Sequence, residues 1–146
     1  MIETGTMVWL LLWIVWWSIC DLRSRVIYLW QAVLVLVAGV VFQVMEGVLL
    51  SSEILGGVCL GMGAVLFSRV TRDGFGMGDG LVILCLGVYH GFGMTLAVAT
   101  AGLMAASVVG LVLLLFGQGG RKQTLPLIPF LLIAYLWVLL MGGYIE

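Results

Sequence analysis

Charge is scarce in this chain, and so are the residues that most often hold metals. Of 146 residues, six are Lys or Arg and seven are Asp or Glu, so charged side chains make up 9% of the sequence. Soluble domains carry about a quarter charged residues. With 64% hydrophobic residues and a mean hydropathy of +1.28, the composition excludes a water-soluble globule and points to an integral membrane protein. One histidine, His90, is too few for a histidine-based metal site or triad. The three cysteines, Cys20, Cys59 and Cys85, lack the paired spacing of a zinc site. They are expected to pack as small apolar residues, and no metal or cofactor is expected. Nothing in a net charge of -1 calls for nucleic acid. Both prolines, Pro126 and Pro129, stand at the start of the last apolar run, where the first turn of a helix tolerates them.

What the chain does have is long apolar runs, at about 5–20, 26–45, 53–70, 80–90, 92–116 and 125–143. A helix crossing a bilayer needs about 20 such residues. The stretch from 80 to 116 is too long for one crossing, since at about 1.5 Å per residue it would reach roughly 55 Å. A break over Tyr89-His90-Gly91-Phe92-Gly93 divides it. The expected fold is therefore all-α: one polytopic domain over residues 1–146, a bundle of about six transmembrane helices. The cations cluster as Arg23 with Arg25, Arg69 with Arg72, and Arg121 with Lys122. With six spans these occupy alternate loops, and the positive-inside rule makes that face cytoplasmic. Glu3, Glu46, Glu53 and Glu146 fall on the other face, so both termini are expected outside. Glu3, with no cation before the first apolar run, is the reverse of a signal peptide.

Two features concern packing. Gly57 and Gly61, then Gly102, Ala106 and Gly110, place small residues four apart, which lets backbones approach closely in lipid. Those two segments are expected at the centre of the bundle. Trp9, Trp13, Trp16 and Trp17 recur at helical spacing and are expected to face lipid or the interface, while His90 is expected in an interfacial loop.

Two acids stand out because a carboxylate at a membrane boundary is costly. Asp21 closes the first apolar run in Ser18-Ile19-Cys20-Asp21-Leu22-Arg23. Asp79 lies in Gly74-Phe75-Gly76-Met77-Gly78-Asp79-Gly80, just before the fourth. The six-span topology puts both on the cytoplasmic side at similar depth. Structural roles are available to each: a helix N-cap for Asp79, and for Asp21 a helix-end charge paired with Arg23 or Arg25. The glycine density before Asp79 goes beyond capping. Gly76, Gly78 and Gly80 would expose backbone and admit a second chain held extended. Paired carboxylates can hydrolyse a peptide bond if one, ionised, takes a proton from water and the other, protonated, donates to the carbonyl oxygen. Like charges a few ångströms apart cannot both ionise cheaply, so such a pair keeps one proton. Asp73, beside Arg72, is expected to be a solvated loop residue.

These features resemble the type IV prepilin peptidases, membrane aspartic endopeptidases, in the short form without the amino-terminal cysteine-containing domain. The resemblance rests on Asp21 followed by a basic stretch and Ile27, on Gly76-Met77-Gly78-Asp79, and on Ile128-Pro129-Phe130. With span count and order it covers most of the chain. It implies that Asp21 and Asp79 are the catalytic pair. It also implies a prepilin or pseudopilin substrate, with its leader cut on the cytoplasmic side of a prokaryotic inner membrane, typically after glycine. Membrane lipid would then be a partner in recruiting the substrate. The chain departs from the family where Ile-Pro-Asn is usual and Ile27-Tyr28-Leu29 stands, and where a lysine is usual and Leu81 stands. Without the cysteine-bearing region, a peptidase without methyltransferase activity is implied. Two other classes compete: a small transporter with both acids lining a cation path, and a catalytically lapsed homologue serving as an assembly partner.

Overall fold

The structure is a computed structural model, and it describes residues 2–24, 28–71, 76–116 and 126–142. All regular structure among them is helical: α1 (Ile2–Ser24), α2 (Leu29–Met45), α3 (Ser52–Val70), α4 (Met77–Leu115) and α5 (Ile128–Gly142). α1, α3 and α4 contain stretches long and apolar enough to cross a membrane, and α2 and α5 are shorter apolar helices. Large apolar side chains such as Leu12, Trp30, Leu66, Val108 and Trp137 cover the outside of the bundle. Helices apolar all round suit an environment of lipid.

The segments expected at 80–90 and 92–116 form a single element. α4 runs through both, interrupted at Gly91 by non-helical angles of φ 76 and ψ -168. Among the described residues the helices number five, and a bend takes the place of an interhelical loop. Both sides of the bend border α5: His90 reaches Tyr135, and a side chain at Gly102 would meet Leu131.

Bending leaves carbonyls at the end of the first arm without helical partners. Gln43 of α2 supplies them, its Nε2 donating to Val88 O at 2.8 Å and Tyr89 O at 3.2 Å. Tyr89 in turn donates to Val35 O at 3.0 Å. His90, expected in a loop, is instead the last residue of the first arm, with Nε2 2.7 Å from the Tyr135 hydroxyl.

α3 packs on the first arm through glycine. Built side chains show Glu53 beside Gly91, Gly57 beside Gly87, Gly61 beside Leu84 and Val65 beside Gly80, a continuous antiparallel register. A Cβ on Gly57 would lie 2.5 Å from Gly87 O and 2.7 Å from Gly91 C, so the two backbones touch. The small residues at Gly57 and Gly61 act as expected; their partner, however, is the first arm, and Gly102 on the second arm packs on α5. The core behind this pair joins Leu10, Ile14 and Trp17 of α1 to Val35 of α2, to Val82 and Leu86 of α4, and to Leu131 and Tyr135 of α5. Trp9 and Trp16 are exposed as expected, but Trp17 is buried and continues an aromatic ladder from Trp9 through Trp13.

Local signals explain several boundaries. α2 ends in two hydrogen bonds, Gly47 N to Val44 O and Val48 N to Gln43 O, with Gly47 at φ 70 supplying the left-handed residue that closure needs. Ser51 caps α3, its side chain accepting from Ile54 N at 3.3 Å. In α5, Pro129 occupies the first turn, as expected. The charges also sort. Arg23 and Arg69 occupy the last turns of α1 and α3, while Glu46 and Glu53 lie at the opposite end, where α2 finishes and α3 begins. Arg25, Arg72, Arg121, Lys122 and Glu146 lie outside the described residues.

Candidate active site

Asp21 sits in the last turn of α1, half-buried, with Oδ2 wholly covered. Asp79 sits in the first turn of α4, also half-buried. α4 starts beside the end of α3, where Gly80 meets Val65, and Met7 of α1 lies near Tyr135 of α5. The end of α1 and the start of α4 share one end of the bundle. The two carboxylates come close enough that the charge of Asp21 acts directly on Asp79. The chain thus gathers two acids that are far apart in sequence, in a region where most side chains are apolar.

The first turn of α4 explains how Asp79 is held. The helix is capped by Gly76, in an extended conformation (φ -65, ψ 136) with no side-chain cap. Asp79 is three residues on, and its carboxylate accepts from the Gly76 N–H. This is the reach-back half of a capping box, in place of the N-cap role available to Asp79 as its structural alternative. Helix N-terminal peptide dipoles also favour a negative group there. Gly76 must be small for this contact, because a Cβ on it would lie 2.8 Å from Asp79 Oδ2.

The three glycines expected to form a substrate loop have different placements. Gly76 alone is outside the helix and exposed; Gly78 is half-buried and within the first turn. Gly80 is buried, its missing side chain leaving room for Val65 Cα at 3.0 Å. Helix formation starts earlier than the glycine pattern suggests, because α3 supplies the backbone contact that pins the turn. Asp73, Gly74 and Phe75 lie outside the described residues, as does Ile27.

Other buried polar groups, which composition did not single out, lie toward the same end of the bundle. Trp17 and Ser18 on α1 and Gln31 in the first turn of α2 are buried. Gln31 carried a signal, since it is a polar residue at the head of an otherwise apolar run. Trp17 carried none, because its burial depends on which neighbours α1 meets.

Chemically, two neighbouring carboxylates offer a base and an acid within one site. They sit where an apolar bundle meets its polar end, so a chain bound there could present a peptide bond to both. Among known proteins, no family model, no curated protein and no solved structure matches this chain.

Proposed function

We propose that the chain is a membrane-embedded aspartic endopeptidase that removes the leader of prepilin-like substrates at the cytoplasmic boundary of a prokaryotic inner membrane. The observation that carries this reading is the electrostatic contact between Asp21 and Asp79 at one end of the bundle. The site-level features quoted for the type IV prepilin peptidases support it. In this reading the two arms of α4 are separate crossings, giving six spans with both termini outside. The end that holds Arg23, Arg69 and the acid pair is then cytoplasmic.

The pair holds one proton between its two carboxyl groups, because ionising both would place like charges side by side. The ionised member takes a proton from a water molecule as the oxygen attacks the scissile carbonyl, and the protonated member donates to the carbonyl oxygen. When the tetrahedral species collapses, the C–N bond breaks, the first carboxyl returns its proton to the departing amine, and the second carboxylate takes back a proton from the hydroxyl that becomes the new carbonyl oxygen. Gly76 and Gly78, with no side chains, let an extended substrate backbone come close to Asp79. Gly80 serves the site indirectly, by seating the α4 turn on α3. Placement of both acids at one end disfavours a transport path through the midplane.

The test is cleavage of a co-expressed candidate prepilin, read as a mass shift, by the wild type, Asp21→Asn and Asp79→Asn at equal membrane levels. Loss in both variants, by at least about 1,000-fold as expected when one member of a catalytic unit is removed, supports the pair. Undiminished cleavage by either variant removes that residue from the mechanism.

A further inference from the structure

Buried polar atoms almost always have hydrogen-bond partners, and the exceptions here have a pattern. Trp17 Nε1 and Gln31 Oε1 are both buried with no hydrogen-bond partner among the described residues. Their residues are 1% and 9% exposed. One is a donor and the other an acceptor. A third such atom, Thr95 Oγ1, lies beyond Gly91 on the second arm of α4 and belongs elsewhere.

Trp17 and Gln31 both lie toward the end of the bundle that holds the acid pair. Trp17 is one helical turn before Asp21, on the same face of α1. Gln31 opens a stripe at four-residue spacing, Gln31, Val35, Gly39 and Gln43. The last three members all touch the first arm of α4, at Tyr89 or Val88. The same stripe aims Gln31 at the early turns of that arm, and Cys85 reaching Ala32 O at 4.0 Å shows the two helices still adjacent there. Side chains tilt toward the amino end of a helix. Gln31 therefore leans toward the carboxylates, and the Trp17 indole leans deeper into the bundle.

We infer that Trp17 and Gln31 form a backbone clamp, in which the indole N–H donates to a substrate carbonyl and the Gln31 carboxamide oxygen accepts from a substrate N–H. This rests on the peptidase reading of Asp21 and Asp79. An extended peptide presents C=O and N–H groups alternately, so one donor and one acceptor set into an apolar wall is the complement it needs. Because both lie inward from the acids, the clamp holds residues on the membrane side of the scissile bond. It is indifferent to substrate side chains, which suits a site that must straighten many apolar helices. These are positioning residues; the proton transfers remain with the aspartates.

The experiment uses Trp17→Phe, which keeps an aromatic ring and removes the N–H, and Gln31→Met, which keeps the length and removes the amide. The probes are recombinant chains with a short basic leader ending in glycine, followed by an apolar helix of about 20 residues. For each variant, kcat and KM are measured alongside thermal unfolding in detergent. Gln31→Met removes an acceptor with no partner among the described residues, so its expected Tm is equal to or above wild type, whereas Trp17→Phe also opens a core cavity and its Tm is expected to fall by the cost of that cavity. The expected kcat/KM falls roughly 5- to 30-fold in each, the usual effect of leaving a hydrogen bond unmade in a complex. If wild type cleaves and both variants match it, or if Tm and activity of Gln31→Met fall together, the clamp is wrong while the acid pair stands. If wild type cleaves none of the probes, the peptidase reading fails and the clamp fails with it.

Discussion

Replacing Gly57 by alanine tests whether backbone contact between α3 and the first arm of α4 holds the bundle together. The new Cβ would sit 2.5 Å from Gly87 O, 2.7 Å from Gly91 C and 2.9 Å from Gly87 Cα, all backbone atoms that cannot rotate away. Ordinary van der Waals contact begins near 3.4 Å, so the helices must part by roughly 0.5–1 Å. A gap of about that size forfeits a quarter to a half of the dispersion between facing atoms. The loss would extend to Gly61 against Leu84 and Gly80 against Val65, which share the interface. Overpacking of this kind costs about 1–3 kcal/mol. The control is Gly63→Ala, one and a half turns away on the same helix, where a Cβ meets nothing within 4 Å. There only the helix-propensity gain remains, about 0.5–1 kcal/mol. The two variants should therefore differ by about 1.5–4 kcal/mol, in opposite directions from wild type. Unfolding in mixed micelles with rising sodium dodecyl sulfate, followed by tryptophan fluorescence, reads that difference. Equal midpoints for Gly57→Ala and Gly63→Ala would refute the reasoning.

Gln43→Leu should lower stability in the same assay by about 1–3 kcal/mol, because it strands the Val88 and Tyr89 carbonyls; an unchanged midpoint would show that these carbonyls find other partners. Gly91→Ala combines a left-handed φ of 76 with a Cβ 3.2 Å from the Glu53 backbone. It should cost about 1–3 kcal/mol, and wild-type stability would mean that the bend tolerates side chains. Cleavage by the wild type should follow a bell-shaped pH profile, since acid protonates both carboxyls and removes the base, while alkali ionises both and removes the acid. A profile that rises without limit toward high pH would argue against a shared proton.

The parts of the fold visible in the amino-acid sequence are those set by local composition. Charged and glycine-rich stretches separate the apolar runs, and observed helix ends fall near those separations, as at Ser24, Met45, Ser52 and Val70. The bend was visible as Gly91 and Gly93 flanking an aromatic in an over-long run, although a continuous bent helix rather than a loop joins the arms. What could not be read is what depends on a neighbour. Gly80 looks like a loop residue until α3 is placed against it, when its lack of a side chain becomes a packing asset inside a helix. Trp17 looks like its lipid-facing neighbours in the tryptophan series, and only the position of α5 distinguishes it. In the candidate site, Asp21 and Asp79 announced themselves by the cost of a carboxylate at an apolar boundary. Gln43 and Gln31 announced polarity without purpose, because a glutamine that repairs a bent helix and one with an unfilled acceptor look alike in one dimension.

The bend at Gly91 also limits how far the first arm of α4 can reach. Residues 77–90 rise about 21 Å, against a hydrocarbon layer of about 30 Å. In the six-span reading proposed above, a crossing that short is met by thinning of the surrounding bilayer, at a modest cost per ångström. The lipid surface would dip around Asp79, bringing headgroups and water down to a carboxylate that a full-length helix would have lifted clear of the membrane. Bilayer thickness then becomes a variable of the site: thicker lipids would deepen the mismatch and thinner ones relieve it, with no change to any residue.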